Sequence, residues 1–237
     1  MSQVHTLGRT YRRYHVNDYA ASSASPTPAW YSLIAWFRAT DLVLADGGPV
    51  TSWPSSVGTI VASAGSAPAY KVSAGPGSKP SVLWNANNLT ISPTLNLTTA
   101  AWTVAAVVQS NGDGHVLGHS SINYQMRKYR SSVNNISVYN NSTDIQSSGF
   151  ATVYNNPVLC WWVYNASVIS FYENQTARGG AGWSTFGSNL DKLGATSYGG
   201  NWAGYMSEIC VWNVAFSLTQ ISQLYTAYFS PRYGNVF

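Results

Sequence analysis

The chain has 237 residues, of which 45% are apolar, 14% aromatic and only 8% charged. This length suits one domain with a full hydrophobic core, and the aromatic content excludes a disordered chain. Coiled coils are rich in Glu, Lys and Arg, so the scarcity of charge excludes one. The net charge of +4 reflects few charges of either sign. The composition therefore predicts an all-β globular protein whose polar surface consists of hydroxyls and amides.

Residues 1–29 differ in composition from the rest of the chain. They combine a basic, aromatic segment with a linker of small residues and proline over positions 20–28. We expect 1–29 to form an extended N-terminal arm and linker, and 30–237 to form one domain. Positions 1–19 contain no apolar stretch typical of a secretory signal, so we expect synthesis in a cytosol. In that compartment Cys160 and Cys210, both within apolar runs, are expected to be reduced core thiols.

From Trp30 onward, short apolar or alternating runs are separated by Gly, Pro, Asn and Ser, a pattern that predicts strands. Many short strands without intervening helices favour an antiparallel sandwich or barrel. The predicted strands, in chain order, are Ser32–Arg38, Ser81–Trp84, Leu89–Ile91, Trp102–Gln109, Gly114–Leu117, Asn123–Arg127, Ile136–Tyr139, Thr152–Tyr154, Val158–Tyr164, Val168–Glu173 and Gly204–Val214.

One helix is predicted near the C-terminus. Ser217 is a suitable N-cap, and apolar residues follow at helical spacing up to Tyr228. Pro231 and Gly234 are expected to end this helix.

Several segments resemble the laminin-G-like members of the concanavalin A-like jelly-roll class. The likeness covers about 200 residues and is best in the closing segment, where a strand with Gly204 and Glu208 precedes a short helix and a terminal Tyr-Gly pair. It implies a two-sheet antiparallel jelly-roll sandwich with one short C-terminal helix. The other matching segments are 33–41, 46–56, 82–91, 101–108 and 168–174.

Proteins of this class include lectins, carbohydrate-binding modules, hydrolases, lyases and virion proteins, so the fold alone does not assign a function. Low charge, an N-terminal arm and no secretory signal favour a non-enzymatic phage virion surface protein: a capsid decoration, head fibre, tail fibre or spike component. We expect it in the virion, as a homo-oligomer bound to other capsid or tail proteins, with host glycans as a further ligand. The alternative is a lectin-like carbohydrate-binding module, followed by a glycoside hydrolase or polysaccharide lyase.

Candidate contact residues follow from these two functions. Attachment to a virion partner is assigned to the basic, aromatic arm. Glycan contact is assigned to aromatic and amide groups on two Gly-rich segments predicted as loops, where Trp183 is expected to be an exposed platform. The attachment residues are Arg9, Arg12, Arg13 and Tyr14, and the glycan-contact residues are Trp183, Tyr198 and Asn201.

Catalytic, metal and nucleic-acid sites find little support in the sequence. The eight carboxylates do not form the clustered pattern that hydrolases of this class use, and Glu208 matches a structural position of the family. The 124–130 segment has residue types suited to a lyase but lacks a lyase signature. His115 and His119 lie roughly 13 Å apart if they share a strand, too far to bind one ion. We expect no catalytic residue, metal, cofactor, membrane or nucleic-acid partner; a Ca²⁺ site at 111–114 or 189–191 stays open.

Overall fold

A computed structural model describes residues 26–98, 101–121, 124–130, 133–140, 143–148, 154–183, 189–195 and 200–237. Within these ranges sixteen antiparallel strands form two sheets, which confirms the two-sheet sandwich. The strands are Leu33–Arg38 (β1), Ser52–Pro54 (β2), Val61–Ser66 (β3), Ala69–Lys71 (β4), Ser81–Asn85 (β5), Asn88–Asn96 (β6), Ala101–Ser110 (β7), Gly114–Gly118 (β8), Tyr124–Arg130 (β9), Val133–Asn140 (β10), Asp144–Gln146 (β11), Pro157–Asn165 (β12), Val168–Glu173 (β13), Thr176–Gly182 (β14), Asn189–Leu193 (β15) and Ala203–Trp212 (β16).

Sheet A has the order β14-β13-β12-β7-β16-β5-β4, with β1 also paired to β16. Sheet B has the order β11-β10-β9-β8-β15-β6-β3-β2. Short helical turns occur at Pro28–Trp30, Ala39–Asp41 and Pro76–Ser78. No helix in the described part of the chain is long and apolar enough to cross a membrane.

The outer face of sheet A is covered. Alternate residues of β7, β12 and β16 point to opposite faces, and both sets are apolar in these three strands. One set fills the main core between the sheets. The other forms a second core, where Trp161 and Trp212 stack with ring centroids 6.2 Å apart beneath Phe216 and the C-terminal helix. The central strands β7, β12 and β16 of sheet A are therefore buried on both faces.

The C-terminal helix α1 spans Leu218–Leu224 and begins as predicted. The Ser217 side chain accepts a hydrogen bond from the Gln220 backbone amide, and the Gln220 side chain accepts one from the Ser217 backbone amide, which together form a capping box. The helical segment continues through a wide turn at Tyr225–Phe229 and a last helical turn at Ser230–Arg232, so it ends between Pro231 and Gly234, as predicted. This places Pro231 at the start of that turn, where its missing N–H is tolerated.

The N-terminal connection is anchored on the covered face. Pro28 is buried, and its carbonyl accepts a hydrogen bond from Trp212 Nε1 at 3.0 Å. Tyr31 lies against Phe216, with ring centroids 4.7 Å apart. Positions 26–31, at the junction of the predicted linker and domain, thus help to bury the second core.

Several further predictions are tested by the strands and the core. Cys160 and Cys210 are both buried and form no disulfide bond, as expected. Six strands are absent from the sequence prediction: β2, β3, β4, β11, β14 and β15. Most of the predicted strand Thr152–Tyr154 lies outside the described residues, and Tyr154 itself is in a turn.

Candidate functional site

The outer face of sheet B carries a row of register partners that crosses seven strands, with polar residues toward both ends and Gly118 between them. Thr90 of β6 faces Lys192 of β15, which faces Gly118 of β8. The row begins at Ser63 of β3, opposite Thr90, and continues from Gly118 through position 125 of β9 to Tyr139 and Asp144. Neighbouring strands lie about 4.8 Å apart, so the six intervals span roughly 29 Å.

The chain neighbours of these residues fix their direction. Leu89 and Ile91 flank Thr90, Leu193 follows Lys192, and Val138 precedes Tyr139; all four belong to the main core. Because strand side chains alternate, the row points away from the core. Ser63 and Thr90 are exposed, and Lys192, Tyr139 and Asp144 are half-buried. We call the register partners Ser63, Thr90, Lys192, Gly118, position 125, Tyr139 and Asp144 the polar row.

A chain of hydrogen bonds holds the β10–β11 end of the polar row. Asn135 Nδ2 donates to Gln146 Oε1 at 2.6 Å, and Gln146 Nε2 donates to Asp144 Oδ2 at 3.0 Å. Asn135 is 2% exposed. The Oδ1 atom of Asn135 and the hydroxyl of fully buried Ser137 have no hydrogen-bond partner. These two atoms are enclosed by protein, so Asp144 and Gln146 are the polar side chains that this end of the face presents.

A second row, next to the first, begins at His115. Register places His115 opposite position 127, which lies opposite Ser137. The His115 ring is 8% exposed because Gly200 covers it; a Cβ on Gly200 would come 2.4 Å from His115 Cε1. The segment at Gly200 therefore forms one border of the outer face of sheet B.

The predicted glycan-contact residues have different placements. Trp183 is 5% exposed, and its ring packs edge-on against Tyr164 with centroids 6.3 Å apart, so the expected exposed platform is wrong. The reason is that Gly179–Gly182, predicted as loop, belongs to β14, which leads Trp183 into the core. Asn201 is half-buried, and its Nδ2 donates to the Ala86 carbonyl at 3.0 Å, which ties the segment after Gly200 to the β5–β6 turn.

The remaining predicted contact residues lie outside the described residues. These are Arg9, Arg12, Arg13, Tyr14 and Tyr198. The structure therefore brings Asn201 to the border of the outer face of sheet B and leaves the arm assignment as a prediction.

Glu208 lies in a different place, between sheet A and the C-terminal helix. It is fully buried and accepts hydrogen bonds from Trp36 Nε1, from the Tyr228 hydroxyl at 2.8 Å and from the Tyr233 hydroxyl at 2.8 Å. Arg232 Nε is 3.2 Å from its Oε2 atom. Burial and the adjacent carboxylate raise the pKa of both tyrosines above the ordinary value. A carboxylate with this many protein partners holds the helix on the sheet, in agreement with the structural role that the resemblance implies.

The other carboxylates singled out from the sequence also have protein partners. Glu173 is 2% exposed and pairs with Arg178 at 2.6 Å. Asp113 accepts from the Tyr154 hydroxyl at 2.6 Å, and burial together with this bond raises the pKa of Tyr154 to about 12. Asp191 accepts from the Ser120 amide at 2.7 Å. Among the described residues, no three His, Cys, Asp or Glu side chains converge in a way that would hold a metal ion.

Comparison with known proteins supports the fold. No family model and no curated protein matches the chain. Domain 4 of AbnA, an extracellular GH43 arabinanase of Geobacillus stearothermophilus solved with arabinotriose, is similar to this chain with a TM-score of 0.62 at 12% identity; the match covers 81% of this chain and 98% of that one.

Two larger proteins contain a similar domain. The binding domain of botulinum neurotoxin serotype D has a TM-score of 0.53 at 9% identity and covers 83% of this chain and 52% of its own. The sialidase of Trypanosoma rangeli, solved with the inhibitor DANA, has a TM-score of 0.55 at 12% identity and covers 86% of this chain and 35% of its own. At these identities the likeness shows a shared β-sandwich fold.

Proposed function

We propose that this domain is a non-catalytic carbohydrate-binding module whose ligand lies along the polar row of sheet B. The observation that carries the proposal is the contrast between the two outer faces. The centre of sheet A is covered by the C-terminal helix and a second apolar core, whereas sheet B presents polar side chains from β3, β6 and β15 at one end and from β10 and β11 at the other, along register partners that span roughly 29 Å. A long, straight, polar face suits an extended polymer better than a small compact ligand.

The chemistry of the polar row fits a sugar. A pyranose or furanose ring has an apolar face and a polar edge, so it is bound by an aromatic ring together with hydroxyl and amide groups. Tyr139 supplies a half-buried aromatic ring, and Ser63 and Thr90 supply hydroxyls.

Binding without catalysis is part of this proposal. Glycoside hydrolysis normally uses two carboxyl groups about 5 to 10 Å apart. Asp144 belongs to the polar row and Asp191 precedes Lys192 in the chain; they lie on β11 and β15, which are four strand intervals or roughly 19 Å apart. Both glutamates of the described chain are buried and hydrogen-bonded or ion-paired elsewhere. This spacing supports a ligand that is held rather than cleaved.

The solved structures support the carbohydrate-binding alternative better than the virion role, because AbnA domain 4 was solved with a bound arabinotriose. Attachment to a capsid or tail through residues 1–29, location in a virion and self-association stay predictions.

A variant that begins at Pro26 tests attachment, since it keeps Pro28 and its contact with Trp212. Loss of co-sedimentation with particles is expected, and normal incorporation would contradict an attachment role. Light scattering of the same variant measures self-association.

The glycan proposal is tested by affinity electrophoresis in gels that contain soluble polysaccharides. Retardation by at least one polysaccharide, competed by its free oligosaccharide, is the expected result. Unretarded migration in every gel would contradict binding. Reducing or unsaturated ends released from the retarding polysaccharide would contradict the non-catalytic part alone.

A further inference from the structure

Lys192 lies within the polar row and bonds only to uncharged oxygens. Its Nζ donates to Thr90 Oγ1 at 2.7 Å and approaches Asn88 Oδ1 at 3.5 Å. No carboxylate of the described residues forms an ion pair with it. A protonated amine has three N–H donors, so these two contacts leave one donor for a ligand.

Four other cations of the described chain have carboxylate partners, whereas Lys79 is exposed and forms no ion pair. Arg38 pairs with Asp41 at 2.8 Å, and Lys71 with Asp46 at 3.5 Å. Arg178 and Arg232 pair with the two glutamates, at 2.6 and 3.2 Å. Lys192 has no carboxylate partner among the described residues, although it is half-buried like these four side chains.

Two carboxylates lie on strands of sheet B, and neither forms an ion pair with Lys192. Asp191 precedes it in the chain and directs its two oxygens to the Ser120 amide and hydroxyl. Asp144 lies four strand intervals away, roughly 19 Å. That separation exceeds the Debye length of about 8 Å at physiological salt. The Lys192 ammonium group is therefore held by Thr90 and Asn88, and among the described residues no carboxylate accepts its remaining donor.

We infer that the glycan bound along the polar row is anionic, and that Lys192 is the residue that selects it. This inference rests on the proposed function. The anionic group is a carboxylate of a uronic acid or a sulfate ester, since either accepts a charge-assisted hydrogen bond from an ammonium group. Tyr139, three strand intervals from Lys192, would contact a different sugar unit of the same chain.

The test compares matched polysaccharides with the wild-type protein by isothermal titration calorimetry. The ligands are polygalacturonate as a polyuronate, chondroitin sulfate as a sulfated glycan, and arabinan and a soluble β-glucan as neutral glycans. We expect at least one anionic ligand to bind about tenfold or more tightly than both neutral ones, with affinity that falls as salt rises. Whether polygalacturonate or chondroitin sulfate is preferred distinguishes the two anionic groups.

Three variants separate the role of Lys192 from general charge. Lys192→Gln is expected to weaken anionic binding about tenfold or more, while Lys192→Arg retains most of it. Lys71→Gln, which removes an equal charge from β4 on the other sheet, is expected to leave binding unchanged. All three should melt near the wild-type temperature, because both lysines are partly solvated.

Three results would overturn the inference. Neutral glycans that bind as tightly as anionic ones would show that the polar row does not select charge, while the proposed function would stand. Unchanged anionic binding by Lys192→Gln would likewise exclude Lys192 as the selecting residue. The absence of binding to all four polysaccharides would overturn both the inference and the proposed function.

Discussion

Replacement of Glu208 by glutamine should lower the free energy of unfolding more than replacement of any surface carboxylate. The carboxylate accepts three hydrogen bonds in a fully buried position and lies 3.2 Å from Arg232 Nε. Glutamine has nearly the same shape but only one accepting oxygen. The Tyr233 hydroxyl, itself 1% exposed, or the Trp36 indole N–H would then meet an amide that donates instead of accepting.

The expected cost follows from these partners. A buried donor that loses its acceptor costs about 1–3 kcal/mol, and removal of one partner from a buried ion pair costs about 3–5 kcal/mol. The Arg232 side chain is 28% exposed, so water compensates part of the second cost. We therefore expect the free energy of unfolding to fall by about 3–5 kcal/mol. For a domain of this size that corresponds to a melting temperature roughly 6–20 °C lower.

Urea unfolding followed by tryptophan fluorescence measures this change. The midpoint should fall while the slope stays constant, because the surface exposed on unfolding is unchanged. Asp46→Asn is the matched control: its carboxylate forms an ion pair with Lys71 at 3.5 Å but is 61% exposed, so we expect a cost below about 1 kcal/mol. A Glu208→Gln protein within about 1 kcal/mol of the wild type would refute the structural role of this carboxylate.

Three further changes test other parts of the fold. Gly194→Ala should lower the free energy of unfolding in urea by about 2–4 kcal/mol, because Gly194 has φ +75° and a Cβ there would come 2.5 Å from the Trp84 ring. Gly47→Ala, at φ +79° but in open space, should lower it by only about 1 kcal/mol. Equal losses in the two variants would contradict the packing of Gly194 against Trp84. Trp183→Ala should cost about 3–5 kcal/mol because the ring is buried, and a protein of wild-type stability would restore the exposed platform. Burial raises the pKa of Tyr233, so the tyrosine ionises in the unfolded state at a lower pH than in the folded state. Its contribution to the free energy of unfolding is therefore complete below about pH 10 and falls above it. Tyr233→Phe should reduce the slope of the free energy of unfolding against pH by about 1.4 kcal/mol per pH unit. An identical slope in Tyr233→Phe would exclude this residue as its source.

The strands buried on both faces were predictable because their sequences are mostly apolar. β7, β12 and β16 are rich in Val, Ile and Trp, although Thr103 lies within β7 and Ser207 and Glu208 lie within β16. β3 and β14 consist mainly of Ala, Gly and Ser, residues that also occur in turns, so local composition conceals them. Gly180 shows the physical reason for glycine in β14: a Cβ there would come 2.2 Å from the Ile169 carbonyl of the paired strand.

The candidate site was less predictable than the fold. The polar row depends on the register of strands that are far apart in sequence, such as Thr90 beside Lys192. Alternation within 136–139 and 89–91 indicates that Tyr139 and Thr90 face away from apolar neighbours, and this signal alone could have identified them. It does not reveal which strands are adjacent. At Trp183 the Gly-rich sequence predicted an exposed loop. The pairing of β14 with β13 instead leads the chain into the core and buries the Trp183 side chain.

The most direct test of the central claim is the affinity of a Tyr139→Ala protein for the polysaccharide that retards the wild type. Tyr205→Ala, which removes a half-buried tyrosine from β16 of sheet A, is the matched control. Aromatic residues at the centre of a binding site commonly contribute more than 1 kcal/mol. We expect at least about tenfold weaker binding for Tyr139→Ala and unchanged binding for Tyr205→Ala. Wild-type affinity in a folded Tyr139→Ala protein would contradict a glycan site on the outer face of sheet B.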